Sequence, residues 1–264
     1  MAAELHMVQL DLDVRALMRV ARDQRWERDP GSRRRWDDLG YLVHHQLAAL
    51  FRDLAPQPFR AGEQNGRWLR ILGYSSAGAE RLRRQADEMA TPFDHAACRL
   101  DELHSKPMPA SLFEKGRKLG FEVRTCPVVR LASEVSTTWC GKPATFSKGA
   151  ELDAFLRDRY IRREDAGRES VYLGWLRERL CGAELLDGAR LHAFRRVRLL
   201  RRGRRNGNGR RQVRVPERPD ALLTGTLEVT DPDAFATVLA RGVGRHRAFG
   251  FGMLLLRPPG SGTG

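Results

Sequence analysis

The last quarter of the chain carries the pattern that most restricts its fold. Residues 231–256 read DPDAFATVLARGVGRHRAFGFGMLLL. Thr230 or Asp231 is a suitable helix N-cap, and Pro232 fits the first turn, so a helix is predicted to begin here. The apolar run at 251–256 predicts a strand. A helix that turns through glycines into a strand is expected to pack on one face of a sheet, which indicates the α+β class.

A glycine-rich loop joins that helix to that strand. We predict nucleic-acid contacts for its glycines and its basic residues, namely Gly242, Gly244, Arg245, His246, Arg247, Gly250 and Gly252. Glycines accept positive φ and let backbone amides approach a phosphate. A tight helix-to-strand turn needs the same glycines, so that alternative stays open. The order helix, loop, strand excludes a dinucleotide site, whose glycines lie between a strand and a helix.

An arginine-rich segment precedes this region. Residues 188–216 contain eleven arginines and no acidic residue, and without those eleven the net charge falls from +14 to +3. The sequence Asn206-Gly207-Asn208-Gly209 predicts a reversal between strands at 191–200 and 210–215. The arginines of such a two-stranded ribbon repel one another unless an anion neutralises them, and nucleic acid is the natural anion. The predicted contacts are Arg195, Arg196, Arg198, Arg201, Arg202, Arg204, Arg205, Arg210 and Arg211.

A tyrosine and a histidine share one side of a predicted helix that is capped by Asp37 or Asp38 and ends near Phe51. Tyr41 and His44 are three residues apart and lie about 60° from one another, away from the leucine-rich side. Histidine can transfer a proton at neutral pH, and a tyrosine hydroxyl can donate to a phosphate oxygen. Spacing alone leaves His45, or a surface pair without a role, as alternatives.

The rest of the chain predicts two similar units. The first half has the order β-α-β-α-β, with strands at 6–12, 67–75 and 116–131, which is consistent with a ferredoxin-like unit. We predict two tandem ferredoxin-like (RRM-like) domains, at 1–135 and 149–264, joined by a linker at 136–148.

No apolar run reaches the length of about 20 residues that a membrane span needs. Four cysteines without a CxxC pair and no targeting pattern indicate reduced thiols and a cytoplasmic protein.

Several segments resemble the CRISPR repeat-processing endoribonucleases of the CasE type. GVGRHRAFGFGMLLL is similar to the glycine-rich signature of that family, and LLTGTLEVTDPDAFATVLARG to the strand and helix before it. LGFEVRTCPVVRL resembles the strand that ends the family's first domain, and VYLGWLRERL the helix that opens its second. Tyr41-Leu-Val-His44 matches a Tyr-x-x-His motif of the family's first helix.

The resemblance implies two tandem ferredoxin-like domains and a metal-free cleavage of CRISPR precursor RNA at the base of the repeat stem-loop. In such a reaction the 2′-hydroxyl attacks the neighbouring phosphate, His44 moves the proton and Tyr41 positions the phosphate or the nucleophile. No paired carboxylates stand out, so neither a metal nor another cofactor is expected. The implied partners are the repeat stem-loop and other Cascade subunits, including the guide-RNA backbone subunit. A non-catalytic RNA-hairpin-binding subunit and a general basic RNA-binding module are the alternatives.

Overall fold

The structure, a computed structural model, describes residues 4–23, 39–199, 201–205 and 211–259. These residues form two units, each built from an antiparallel sheet with helices packed on it. The α+β prediction is therefore confirmed. Across the described ranges, no helix is both long and apolar enough to span a membrane.

The N-terminal unit has the element order of a ferredoxin-like fold, β-α-β-β-α-β. Its strands are arranged in the order β2-β3-β1-β4, and all neighbours are antiparallel. A 3₁₀ turn at Arg52–Leu54 follows the second helix. The elements are β1 (His6–Asp13), α1 (Val14–Asp23), α2 (Leu39–Phe51), β2 (Phe59–Asn65), β3 (Trp68–Ser75), α3 (Ala79–Met89), α4 (Pro92–Ala96) and β4 (His104–Pro107).

The C-terminal unit repeats this arrangement with additions. Its elements are β5 (Lys118–Thr125), β6 (Val128–Arg130), β7 (Val135–Trp139), β8 (Lys142–Phe146), β9 (Glu151–Asp153), α5 (Ala154–Arg157), α6 (Arg168–Arg177), β10 (Ala183–Leu185), β11 (Arg190–Arg198), β12 (Arg201–Arg205), β13 (Arg211–Arg214), β14 (Glu217–Val229), α7 (Pro232–Arg241) and β15 (Leu254–Arg257). Short 3₁₀ turns at Ala110–Phe113 and Arg247–Phe249 and a π-helical turn at Asp158–Arg162 complete it. The sheet order is β10-β14-β5-β15, and β11 also pairs with β14.

The structure corrects the predicted division of the strands. The strand predicted at 116–131 exists as β5, but it pairs with β14 and β15 and so belongs to the second sheet. The fourth strand of the first sheet is β4, whose sequence HSKP is too short and polar to give an alternating pattern. The predicted linker at 136–148 contains most of the β7–β8 hairpin. Since the first sheet is complete at residue 107, the boundary between the two units along the chain lies between β4 and β5.

Local sequence explains the elements next to the loop. The side chain of Asp231 accepts hydrogen bonds from the amides of Asp233 and Ala234, as predicted for an N-cap. Pro232 occupies the first turn of α7, where its missing N–H has no cost. The buried face of α7 is apolar and includes Phe235 and Leu239. The helix therefore begins and packs as its sequence predicts.

Buried polar contacts join the two units. The Tyr74 hydroxyl on β3 donates to the Leu254 carbonyl on β15 at 2.9 Å, and burial raises the pKa of that hydroxyl. The Glu122 carboxylate on β5 is 5% exposed and contacts both Arg60 of β2 and Arg257 of β15. One carboxylate thus connects an arginine of each sheet.

Replacing Glu122 with glutamine is expected to destabilise the protein by about 2–3 kcal/mol, because two arginines lose their shared anion. The value stays below that for a fully buried pair since each arginine side chain is about a quarter exposed. The urea midpoint of unfolding measures the change. Glu228→Gln is the matched control, because its pair with Lys118 is a surface contact at 4.0 Å. Equal midpoints for the two variants would contradict the prediction.

Candidate active site

Helix α2 presents Tyr41 and His44 on its partly exposed side. The buried residues of this helix are Leu42, Val43, Gln46, Leu47, Leu50 and Phe51. The helix ends at Phe51, as predicted, while the predicted caps Asp37 and Asp38 lie outside the described residues. His45 is more exposed than either Tyr41 or His44. The helix therefore leaves Tyr41 and His44 partly exposed, although Tyr41 also packs against the core of this unit.

Phe249 brings the glycine-rich loop against these two residues. Its ring stacks on Tyr41, with centroids 6.1 Å apart and an interplanar angle of 10°. The same ring meets His44 edge-on, with centroids 5.3 Å apart and an angle of 68°. Two motifs that are about 200 residues apart in sequence thus form one site. Phe249 was not predicted as a site residue, because the local sequence pattern does not distinguish it from its neighbours.

A cavity of about 470 Å³ borders His44. Its lining includes Arg52 just beyond α2, the end of β3 at Ser75, and Ala240 near the end of α7. The first unit forms almost all of this lining, and Ala240 is the contribution of the second unit. Arg52 has a φ of +52°, a left-handed conformation that non-glycine residues adopt at a cost. His44 and Arg52 therefore border one space, whose lining also includes the acidic residues Glu4 and Asp53.

The glycines of the loop are required by its packing. Gly244 has a φ of +76°, and a Cβ at this position would lie 2.5 Å from the Cη2 atom of Trp175. The Val243 amide donates to the Gly252 carbonyl, which closes the loop, and the Gly252 amide donates to the Arg124 carbonyl, which anchors the loop to β5. These contacts favour the helix-to-strand turn that the sequence left open. Contact between the glycines and RNA stays a prediction.

The charged residues of the loop bind within the protein. Glu151 on β9 lies 2.5 Å from Arg245 Nε and 3.2 Å from His246 Nε2. The hydrogen bond to His246, with the charges of Arg245 and Arg218, outweighs burial and lowers the pKa of Glu151 to about 2. Arg247 donates to the carbonyl of Arg241 at 2.6 Å. Glu151 was not predicted, because it is distant in sequence from the loop.

The arginine-rich segment forms two pairs of strands rather than the single ribbon predicted. Strand β11 lies along β14, with Arg195 opposite Asp220, and β12 pairs with β13, with Arg201 opposite Arg214. The predicted turn at 206–209 and Arg210 lie outside the described residues. The side chains of Arg195, Arg196 and Arg198 are exposed. A separate basic, two-stranded sheet is therefore present, with Arg202, Arg204 and Arg205 on β12 and Arg211 on β13.

A buried aspartate on β14 binds arginines of the neighbouring strands β5 and β11. Asp220 accepts two hydrogen bonds from Arg124, at 2.7 and 2.9 Å, and one from Arg195 at 2.7 Å. Burial alone would raise the pKa of Asp220, but these arginines outweigh it and hold the pKa below its usual range.

Among the residues that the structure places, no three His, Cys, Asp or Glu side chains group in a way that could hold a metal ion.

Known proteins resemble this chain over most of its length. The sequence model of the family described as CRISPR associated protein matches residues 5–258. A curated relative, the CRISPR-associated endoribonuclease Cse3 of Thermus thermophilus, is 29% identical over 163 residues. The match covers 60% of this chain and 66% of that relative, just under two thirds of its length.

Solved structures show the same fold. The CRISPR endoribonuclease Cse3 bound to 19 nt RNA has a TM-score of 0.56 and 22% identity, over 97% of this chain and 100% of that chain. A chain of a CRISPR RNA-guided surveillance complex, pre-nicking, has a TM-score of 0.50 and 17% identity, over 96% and 99% of the two chains. At these identities the likeness concerns the fold, which is the predicted tandem ferredoxin-like arrangement.

Proposed function

Because this chain belongs to the CRISPR-associated protein family, we propose that it is an endoribonuclease that cleaves CRISPR precursor RNA at the base of the repeat stem-loop. The name of its curated relative supports the activity. The observation that carries the proposal is that Phe249 contacts both Tyr41 and His44, and that His44 also borders a cavity. This arrangement combines a proton-transferring side chain, a hydroxyl donor and space for a phosphate.

The proposed reaction uses the RNA's own nucleophile. The 2′-oxygen attacks the adjacent phosphorus, the bond from phosphorus to the 5′-oxygen breaks, and a 2′,3′-cyclic phosphate and a 5′-hydroxyl form. His44 transfers a proton in this step, either from the 2′-hydroxyl or to the leaving 5′-oxygen. Tyr41 holds the phosphate or the nucleophile through its hydroxyl. Charge then moves onto the phosphate oxygens, where a cation stabilises the transition state.

Arg52 is the arginine that the geometry favours for that charge. It lines the same cavity as His44, whereas Arg195 is bound to the buried Asp220. The arginine fork matches phosphate oxygens in a bidentate manner. We therefore assign Arg52 to the scissile phosphate and the arginines of β11, β12 and β13 to the stem. Proteins recognise an A-form stem mainly through its shape and backbone. A basic pair of strands can make such contacts with the phosphates of the stem.

The proposal includes lasting attachment to the product. The likeness to a chain of an RNA-guided surveillance complex supports a role as a subunit of a Cascade-type complex, with the guide-RNA backbone subunit as a neighbour. In that setting the protein remains on the mature guide RNA after cleavage. Metal independence belongs to the same proposal, with His44 supplying proton transfer and Arg52 supplying charge stabilisation for the attack of the 2′-hydroxyl.

Cleavage of a labelled repeat hairpin in EDTA tests this function. An all-ribose hairpin is expected to be cut, and a hairpin with one 2′-deoxy nucleotide just 5′ of the cut is expected to stay intact, because it lacks the nucleophile. Both should bind equally, since the stem is unchanged. Cutting of the deoxy hairpin would reject 2′-hydroxyl attack. Tight binding of both without cutting of either would instead favour an RNA-binding subunit.

A further inference from the structure

Glu151 holds the loop that carries Phe249. Its carboxylate contacts three side chains, those of Arg245 and His246 in the loop and of Arg218 on β14, the last at 3.5 Å. Only 15% of the Glu151 side chain is exposed, and 11% of His246. A mostly buried carboxylate in contact with three basic side chains fixes its neighbours more firmly than a surface ion pair does.

The strand that carries Glu151 is itself fixed. Leu152 is buried and pairs with Val129 on β6. Asp153 accepts hydrogen bonds from Arg168 at 3.0 Å and from the Tyr172 hydroxyl at 2.9 Å. These contacts tie β9 to helix α6, so Glu151 projects from a rigid support rather than from a free loop.

On the other side, the loop runs from the Glu151 contacts to helix α2 within five residues. His246 has a φ of +62° and begins the 3₁₀ turn Arg247–Phe249. The Phe249 amide donates to the His246 carbonyl at 2.8 Å, which fixes the position of Phe249 relative to His246. Phe249 then contacts both Tyr41 and His44. A short and internally bonded turn thus links the Glu151 cluster to the candidate catalytic pair.

We propose that Glu151 is a positioning residue for cleavage: by fixing Arg245 and His246, it seats Phe249 against Tyr41 and His44. The inference rests on the proposed function for its effect on cleavage, but the contact itself exists in the protein without RNA. Small displacements of a catalytic group can reduce a rate by as much as about 10²-fold. Glu151 acts through Phe249, so its loss misplaces His44 without removing any reacting group.

Single-turnover cleavage at saturating protein tests the role. Glu151→Gln is expected to lower the rate constant about 10-fold. Phe249→Ala should do the same, and the double variant should be no slower than Phe249→Ala alone, because residues that act in series are not additive. Glu151→Asp keeps the charge and should recover part of the rate. Glu134→Gln, an exposed acid in the same half of the chain, is the control and should cleave normally.

An NMR measurement on the free protein makes the result independent of activity. The ring of Phe249 shifts the imidazole protons of His44, whose signals are identified by their loss in His44→Ala. Glu151→Gln should move these signals toward their positions in Phe249→Ala. Arg245→Gln removes the most exposed basic side chain that contacts Glu151 and should move the His44 signals in the same direction. This variant replaces Glu151→Gln in the test if Glu151→Gln does not fold.

Unchanged His44 signals in a folded Glu151→Gln variant would overturn the proposal, as would additive rate losses in the double variant. If the wild-type protein cleaves no repeat RNA but the His44 signals still move, the proposed function fails while the positioning by Glu151 stands. The two ideas are therefore tested separately.

Discussion

His44→Ala lowers the rate of repeat cleavage by about 10² or more, while the affinity for the repeat hairpin changes little. The loss of a general acid–base group costs about 10²–10⁴ in rate, and 10² corresponds to about 2.7 kcal/mol of transition-state stabilisation. Binding is preserved because the stem contacts are assigned to the arginines of β11, β12 and β13. Single-turnover cleavage at saturating protein measures the rate, and a filter or gel-shift titration measures the affinity.

His45→Ala is the matched control for this prediction. His45 is adjacent in sequence and more exposed, whereas His44 borders the cavity and contacts Phe249. We expect His45→Ala to cleave at nearly the wild-type rate. Normal cleavage by His44→Ala with loss in His45→Ala would transfer the role to His45. Normal cleavage by both variants would remove histidine catalysis from helix α2.

Features encoded by local sequence could be predicted. The apolar spacing along 39–51 predicted a core side formed by Leu39, Val43, Leu47 and Leu50, with Leu42 at its edge, and the structure buries all of these except Leu39, which is partly buried. Tyr41 and His44 were predicted to lie away from that side; both are partly exposed, although Tyr41 also packs against the core. The N-cap of α7 at Asp231 could also be predicted from the sequence. Helical periodicity and capping depend on residues within one or two turns, so one sequence is enough to identify them.

Pairing between distant strands could not be predicted in the same way. Strand β5 follows the first unit in the chain, yet its partners β14 and β15 come about 100 residues or more later. The contact of Phe249 with Tyr41 and the contact of Glu151 with His246 are likewise long-range. The local pattern does not distinguish these residues, because it would be the same for any other aromatic residue of the loop or acidic residue of the strand.

The loop illustrates how one pattern can serve two purposes. Its glycines were predicted to approach a phosphate, and the structure shows that Gly244 and Gly252 leave no room for a Cβ against Trp175 and Val243. Tight packing places the 3₁₀ turn and Phe249 against α2. The loop is therefore a structural connection between the second unit and the candidate catalytic helix, whatever contacts it makes with RNA.

Replacing Arg201, Arg202, Arg204 and Arg205 together with glutamine weakens binding of the repeat hairpin and lowers its salt dependence. Each phosphate contact that is lost reduces the slope of log K against log salt by about 0.7 to 0.9, so four contacts reduce it by about 3. Strand β12 carries all four residues, and its pairing with β13 through Arg201 and Arg214 concentrates charge of one sign. Affinity measured at several salt concentrations gives the slope directly.

A variant that loses the same charge elsewhere separates this surface from a general effect of net charge. Arg81, Arg84, Arg117 and Arg177 are exposed and lie on other parts of the chain, so their replacement by glutamine should leave the slope nearly unchanged. An equal fall in slope for both sets would mean that the whole basic surface attracts RNA without a defined site. An unchanged slope in the β12 variant would exclude that strand as the element that holds the stem, because released counterions report phosphate contacts wherever they occur.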